Sequence, residues 1–580
     1  MKNTLFVKYA FLPILMLVSG VIPAEEPLPL RTLISTHQTL HTDISADEPL
    51  PLRTPLDDYI QKPDASYSWK VVSSKSVGGI KTVVVDMVSQ TWRTKEEVDR
   101  PEWQHWVTLV FPEKITSDIG LLFIGGGRNG GDPPAEANER IIKIAQATGS
   151  CVAELKMVPN QPLIFHNDGK PRVEDDLIGY TWDQYIKTGD PSWPARNAMI
   201  KSAVRAMDTM TAVMASEDGG RQKVERFVVA GGSKRGWTTW LTGALDKRVV
   251  AIVPIVIDVL NTKMSMENHF AAYGFWAPSI GDYLSHQLMQ RMEHPRLAEL
   301  YRLVDPYYYR HRLTMPKFVL NAAGDQFFLP DSSRFYWNEL RGEKYLRYVP
   351  NGDHGLDGTD AMESLIAFYS MILADQTPPQ YLWTQGDDGS LRVMTTTAPK
   401  EVRLWQATNP EARDFRLETL GPKYTSTELQ ANDSGTYVGN VEMPAQGWTA
   451  YFVELTYDVG GPLPFKVTTN VRVKPDTLPF EKKQSDLPTS LTVIGVAPNE
   501  DAAQAAIKEA ETFIKEQGFA AGDLSFHCDG KRCFFNWKPK GDFEVGAKTM
   551  TEWMAKKKFG KFAYQLESGP EITLPPTLAP

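Results

Sequence analysis

An α/β domain on a mostly parallel sheet, followed by a β-sandwich and a small α+β module, is the architecture this 580-residue sequence predicts. Three observations predict it. Between residues 66 and 378 short apolar runs alternate with helix-length segments, as strands covered on both faces by helices do. The later runs, RFVVA, VVAIVPIVI and PKFVLNAA, are continuously apolar, which suits strands buried on both sides of a parallel sheet. From about residue 380 the texture changes to short alternating segments broken by Gly, Pro and Asp, the pattern of an antiparallel sandwich. A hydrophobic fraction of 42% with 23% charged residues is that of a packed globular chain. The net charge of −9, with no Lys/Arg block, argues against a nucleic-acid or anionic-membrane surface.

The elements follow in chain order. Lys2 and Lys8 flank the start of an apolar stretch that ends at Ile22-Pro23-Ala24, so residues 1–24 read as a signal peptide of an exported, periplasmic or secreted protein. No membrane segment is expected after its removal. Residues 25–65 carry EPLPLRT twice, at Glu26–Thr32 and Glu48–Thr54, and read as a Pro-containing arm or linker. Strands are then expected at IKTVVVDMVSQ, HWVTLVFP, IGLLFI, GSCVAEL, RFVVA, VVAIVPIVI, PKFVLNAA and EKYLRYVP, with helices at Asn138–Thr148, Arg196–Ser216 and Thr359–Leu373. The triplet Glu174-Asp175-Asp176 could bind a substrate cation or cap a helix, and reads first as a solvated helix start.

An insertion over 261–315, rich in aromatics and Met, stands where a lid belongs, with Phe275, Trp276, Tyr307 and Tyr308 as candidate walls of an apolar pocket, and ordinary helical packing on the sheet edge is the equal alternative. Residues 380–478 suggest an immunoglobulin- or fibronectin-like sandwich, with DFRLETL among its strands and a tyrosine-corner-like Asp433–Tyr437. Residues 485–580 read as strand, helix (Glu500–Gln517), hairpin, helix (Val545–Lys558), strand. A two-residue turn at Gly530-Lys531 would bring Cys528 and Cys533 together as a disulfide, leaving Cys151 as a buried free thiol. No second Cys/His pair offers a zinc site.

Chemistry concentrates in the α/β region. RFVVAGGSKRGWTTWLTGAL runs strand, tight turn, helix, with Ser233 at the bend. Such a nucleophile elbow needs small neighbours, and Gly231 and Gly232 supply them. The strict G-x-S-x-G pattern fails by one place, because Arg235 precedes Gly236. The bland alternative is a helix-capping serine. Two later strands end in Gly324-Asp325-Gln326 and in Gly352-Asp353-His354-Gly355, giving Ser233, Asp325 and His354 in the chain order of an α/β-hydrolase-like core. Asp258, after VVAIVPIVI, is the alternative acid. Amides of Gly126 or Gly127 with that of Lys234 are the candidate oxyanion donors. Gly125–Gly130 also matches G-x-G-x-x-G, with Glu154 some 20 residues on. Pro133 and Pro134 postpone the helix that a dinucleotide site requires, so no cofactor is expected.

Long stretches, among them AGGSKRGWTTWLTGALDKRVVAIVPIVIDVLN, GDQFFLPDSS and PNGDHG, resemble the PhoPQ-activated pathogenicity-related protein family. The resemblance implies an exported α/β-hydrolase-like protein tied to virulence or envelope-stress regulation in bacteria. It carries the serine, acid and base onto Ser233, Asp325 and His354. The SKRG turn is also similar to that of glucuronoyl esterases, which implies an oxyanion role for Lys234. The expected activity is a serine hydrolase acting on an ester or peptide substrate. The alternative is a binding or signalling protein on a retained hydrolase scaffold.

Overall fold

A computed structural model describes residues 53–461, 463–480, 490–518, 520, 524–540, 543–566 and 572–573. The signal-peptide segment 1–24 and the first EPLPLRT copy lie outside the described residues.

Nine strands form one sheet: β1 (Ser68–Val77), β2 (Ile80–Thr91), β3 (Glu102–Pro112), β4 (Ile119–Ile124), β5 (Val152–Leu155), β6 (Arg226–Gly232), β7 (Val249–Ile255), β8 (Lys317–Ala322) and β9 (Lys344–Val349). Their spatial order is β1-β2-β3-β5-β4-β6-β7-β8-β9. The first three strands and the β3–β5 pairing are antiparallel, and from β5 to β9 every neighbour is parallel. This is an α/β-hydrolase-like core. Chain order reverses around β4, so the loops leaving β4 and β6 meet at the carboxyl edge, where α/β sheets bind ligands.

The central strands are apolar throughout because both faces are covered. Along β6, Val228 and Ala230 face the cluster that contains Ile141 and Ile144 of α2 (Glu139–Thr148). Phe227 and Val229 face the opposite cluster, as period-two alternation requires. Helices α3 (Glu174–Thr188), α4 (Ala195–Ala215) and α5 (Lys234–Leu245) contribute to that cluster.

Two departures from the sequence reading concern the boundaries. Helix α1 (Pro55–Gln61) falls within the segment read as an arm. Thr54 and Asp57 close a capping box at its start, Leu56 and Ile60 are buried, and Arg312 Nη1 lies 2.9 Å from Asp57. Residues 53–65 thus lie on the α/β domain, as an arm packed on the main domain would. DFRLETL is not a strand either. Leu417–Leu420 forms a helical turn, since its alternation equally fits i,i+3 spacing, and the Leu417 amide donates to the Gly324 carbonyl at 2.9 Å.

Beyond residue 380, β-strands form a three-stranded and a five-stranded antiparallel sheet. The C-terminal module is another five-stranded antiparallel sheet with helices Glu500–Gln517 and Phe543–Lys556. In its hairpin Cys528 pairs with Cys533 across the Gly530-Lys531 turn, and a disulfide joins them. Cys151 is free and buried, and burial pushes its thiol up to about 12. A thiol reagent should therefore find almost no reactive cysteine in native, unreduced protein and one after denaturation; three after denaturation alone would contradict the bridge.

Candidate active site

The turn from β6 into α5 places Ser233 at the carboxyl edge with φ 57° and ψ −127°, a strained conformation for a residue with a Cβ. Its amide is anchored to the Ile255 carbonyl at 2.8 Å. The hydroxyl makes no capping hydrogen bond to the helix, so the capping alternative does not describe this serine. The turn is crowded at Gly231 and Gly236. A Cβ on Gly231 would meet the Arg235 carbonyl oxygen at 2.8 Å, and one on Gly236 would meet the Gly231 and Ile255 oxygens at 2.9 Å. The displaced glycine of the motif is thus the one the turn requires. Arg235 is tolerated because its side chain leaves the bend altogether.

That side chain runs under the glycine loop after β4. A Cβ on Gly126 would lie 2.6 Å from Arg235 Nη2, and Gly127 sits at φ +128°. Arg235 ends in a paired contact with Glu174, Nη1 to Oε2 at 2.8 Å and Nη2 to Oε1 at 2.7 Å, and Nε donates to the Val158 carbonyl. Lys234, buried, places Nζ 2.8 Å from Glu174 and 3.1 Å from Asp175. Asp176 lies 2.7 Å from His286. Glu174-Asp175-Asp176 is therefore an ion-pair cluster rather than a solvated helix start. Glu174 itself has φ 50° and is fixed by Gln161, whose amide group both donates to its carboxylate and accepts from its N–H. Burial alone would raise the Glu174 carboxyl; hydrogen bonds and charge from Arg235 and Lys234 overcome it and hold it at about 2.

Asp325 leaves β8 and His354 leaves β9. Asp325 Oδ2 lies 2.8 Å from His354 Nδ1, and Oδ1 accepts from the Phe327 amide at 2.7 Å. Since a carboxylate only accepts, Nδ1 carries the proton and Nε2 presents its lone pair. The imidazole is held further by its own amide, which donates to Gln326, and by the Phe327 ring at 4.4 Å. Asp258 goes elsewhere. It is buried and accepts from the hydroxyls of Tyr336 and Tyr348. Burial pushes its carboxyl up to about 8, against the pull of the two hydroxyls.

Asp325 and His354 are thus in contact, while no hydrogen bond joins Ser233 to the imidazole among the described residues. Phe327 and Phe328 link the two halves, because they border both His354 and the cavity at Ser233. The Lys234 amide, at the first turn of α5, has no partner within its helix. Gly126 gives its carbonyl to the Met157 amide. The insertion over 261–315 does wall the cavity, but through Met266, Ile280, Tyr283, Met289 and Tyr301 rather than the four aromatics expected. Phe275 and Trp276 instead pack on Tyr273 and His269, and the Tyr307 hydroxyl donates to Glu339. Sequence reading missed Arg235, Gln161 and Arg196. Only the charge contrast between EDD and KR hinted at the cluster, and 61 residues separate its two ends.

A family model described as PhoPQ-activated pathogenicity-related protein matches residues 56–416. Autocrine proliferation repressor protein A of Dictyostelium discoideum is 36% identical over 458 residues, covering 73% of this chain and 91% of that protein. Among solved structures, an acetyl xylan esterase from Paenibacillus sp. R4 aligns with a TM-score of 0.40 at 16% identity, over 60% of this chain and all of that one. A glucuronoyl esterase from Solibacter usitatus aligns with a TM-score of 0.31 at 15% identity, over 55% of this chain and 86% of that one.

The Glu174 cluster has a pH signature. Its carboxyl is held at about 2 against an ordinary 4.5, so its stabilisation is complete above pH 4.5 and is lost as pH falls towards 2. Glu174→Gln should cost about 1–3 kcal/mol at neutral pH, less than a fully buried pair because the carboxylate is partly exposed. Denaturant midpoints should also fall less steeply in the variant between those two pH values. Equal midpoints for both proteins at neutral pH would contradict the clamp.

Proposed function

The chain belongs to the PhoPQ-activated pathogenicity-related protein family, and on that premise we propose that it is an exported serine hydrolase that cleaves an ester. The observation that carries the reading is the Asp325–His354 hydrogen bond at the sheet edge that also holds Ser233 in its strained turn. The disulfide suits an oxidising compartment, in keeping with a signal peptide at 1–24.

In this reading Nε2 of His354 takes the Ser233 hydroxyl proton as Oγ bonds to the ester carbonyl carbon. Asp325 keeps the imidazole in the tautomer that can do so, and it balances the imidazolium that forms. The carbonyl oxygen becomes an oxyanion, which the Lys234 amide and an amide of the glycine loop, at Gly126 or Gly127, receive. When the carbon–oxygen bond breaks, His354 returns its proton to the leaving alcohol. Water then attacks the acyl-serine with His354 again as base, releasing the carboxylic acid and restoring the Ser233 hydroxyl. The cavity beside Ser233, about 50 Å³, suits a short acyl group. Asp258 has no part in these steps. Its two oxygens accept from the hydroxyls of Tyr336 and Tyr348, and its place in this reading is structural.

Hydrolysis of short-chain esters by the full-length protein tests the scheme. Ser233→Ala should abolish turnover, and Asp325→Asn should cost on the order of 10^4 in kcat by favouring the wrong tautomer. Asp258→Asn should cost far less. A crippling Asp258→Asn beside a nearly silent Asp325→Asn would reverse the acid assignment. Turnover unchanged in Ser233→Ala would end the assignment of Ser233 as nucleophile, and folded wild type without turnover would favour a binding protein on a hydrolase scaffold.

A further inference from the structure

Arg196 is the one feature of the Ser233 cavity that the ester chemistry leaves without a task. It lines the same cavity as Ser233, Lys234, Trp182, Trp237 and Tyr283. Its side chain is buried, at 2% exposure, with the guanidinium carbon 3.8 Å above the Trp237 ring and 5.5 Å from that of Trp182. Nε and Nη1 find no acceptor among the described residues, while the Tyr283 hydroxyl is hydrogen-bonded to the guanidinium.

The nearby carboxylates are already engaged. Asp175 binds Lys234 and accepts from the Tyr283 hydroxyl at 2.9 Å. Asp305 accepts from the amides of Thr262 and Tyr307. Arg196 also stands in the first turn of α4, which has no acidic residue there and no side-chain cap. A cation at the positive end of a helix, out of water and with donors unmet, is costly unless an anion completes it. Burial accordingly pulls the guanidinium towards its neutral form.

We infer that Arg196 receives a carboxylate of the substrate, so that the esters this site prefers are those whose acyl part ends in a free carboxylate. The inference rests on reading Ser233 as the nucleophile. The end of the guanidinium, Nη1 beside Nη2, is a planar donor fork that matches a carboxylate, and it lies between aromatic walls that strengthen the charge contact. The cavity's size favours this group over a bulkier tetrahedral dianion. Its position favours the acyl side. Ile257 and Val259, which follow β7, line it, and β7 flanks β6 on the side opposite β4 and its glycine loop.

The test compares monoethyl succinate with ethyl butyrate, esters of equal acyl length, by acid release in a pH-stat. Wild type should favour the succinate ester in kcat/KM, and Arg196→Met should reduce that preference by about 10- to 100-fold, the range for a charged hydrogen bond. Arg196→Lys, which keeps the charge but loses the fork, should fall between. The acetate ester of 3-hydroxypropionate, with its carboxylate on the leaving side, should gain nothing from Arg196.

Equal or better turnover of ethyl butyrate by wild type would overturn the inference while leaving the hydrolase reading intact, as would an Arg196-dependent preference for the leaving-side carboxylate. If wild type and Ser233→Ala were equally inert on all three esters, the hydrolase reading would fail instead. Calorimetry with succinate then decides the anion site on its own: binding lost in Arg196→Met supports it, and no binding to wild type overturns it.

Discussion

Glu174 carries the negative charge around which the turn at Ser233 is organised. Its two oxygens take both N–H groups of Arg235 and the ammonium of Lys234, the two residues that follow Ser233. Through Arg235 the same carboxylate reaches beneath Gly126 and up to the Val158 carbonyl. One ion pair therefore sets three things together: the start of α3, the glycine loop after β4 and the bend at Ser233. Each is strained or crowded on its own, with positive φ at Glu174, Gly127 and Ser233. Such conformations persist where surrounding contacts over-determine them, and this cluster does so. It also accounts for the basic residues in a motif that ordinarily wants a small one.

The second support comes from outside the α/β domain. The loops that carry Asp325 and His354 are held by residues of the β-rich segment that follows. Leu417 donates to the carbonyl of Gly324, and Arg413 lies 2.7 Å from Asp331. Asn351 and Tyr424 exchange two hydrogen bonds, side-chain amide to backbone. The acid and base are thus spaced by a frame that includes the neighbouring sheets. The family match extending to residue 416, past the last strand of the α/β sheet, fits an arrangement in which this segment belongs to the same working unit.

Much of this was legible in the sequence because it rests on local pattern. Continuous apolar runs marked β4, β6, β7 and β8 within a residue or two, since strands buried on both faces have no polar alternative. The turns after β6, β8 and β9 are marked in the sequence by glycine beside Ser233, Asp325 and His354. Local pattern fails where a contact is distant or a periodicity ambiguous. Strand β1 is mostly exposed and has no apolar run to mark it, and Leu417–Leu420 satisfies strand and helix spacing alike. Glu174 looked like a solvated carboxylate because nothing near it in the chain discloses Arg235. Arg196 looked like an ordinary helix residue for the same reason. Only the fold shows that it has burial without a partner.

The account turns on a single atom, Oγ of Ser233, lying in reach of an imidazole polarised by Asp325. A fluorophosphonate reacts with such an oxygen, and with an ordinary surface serine hardly at all. Peptide mass spectrometry of the full-length protein after labelling should find the phosphonyl adduct on Ser233, at a rate sharply reduced in His354→Ala. Folded protein that stays unlabelled at Ser233, or labels there equally fast without His354, would contradict it.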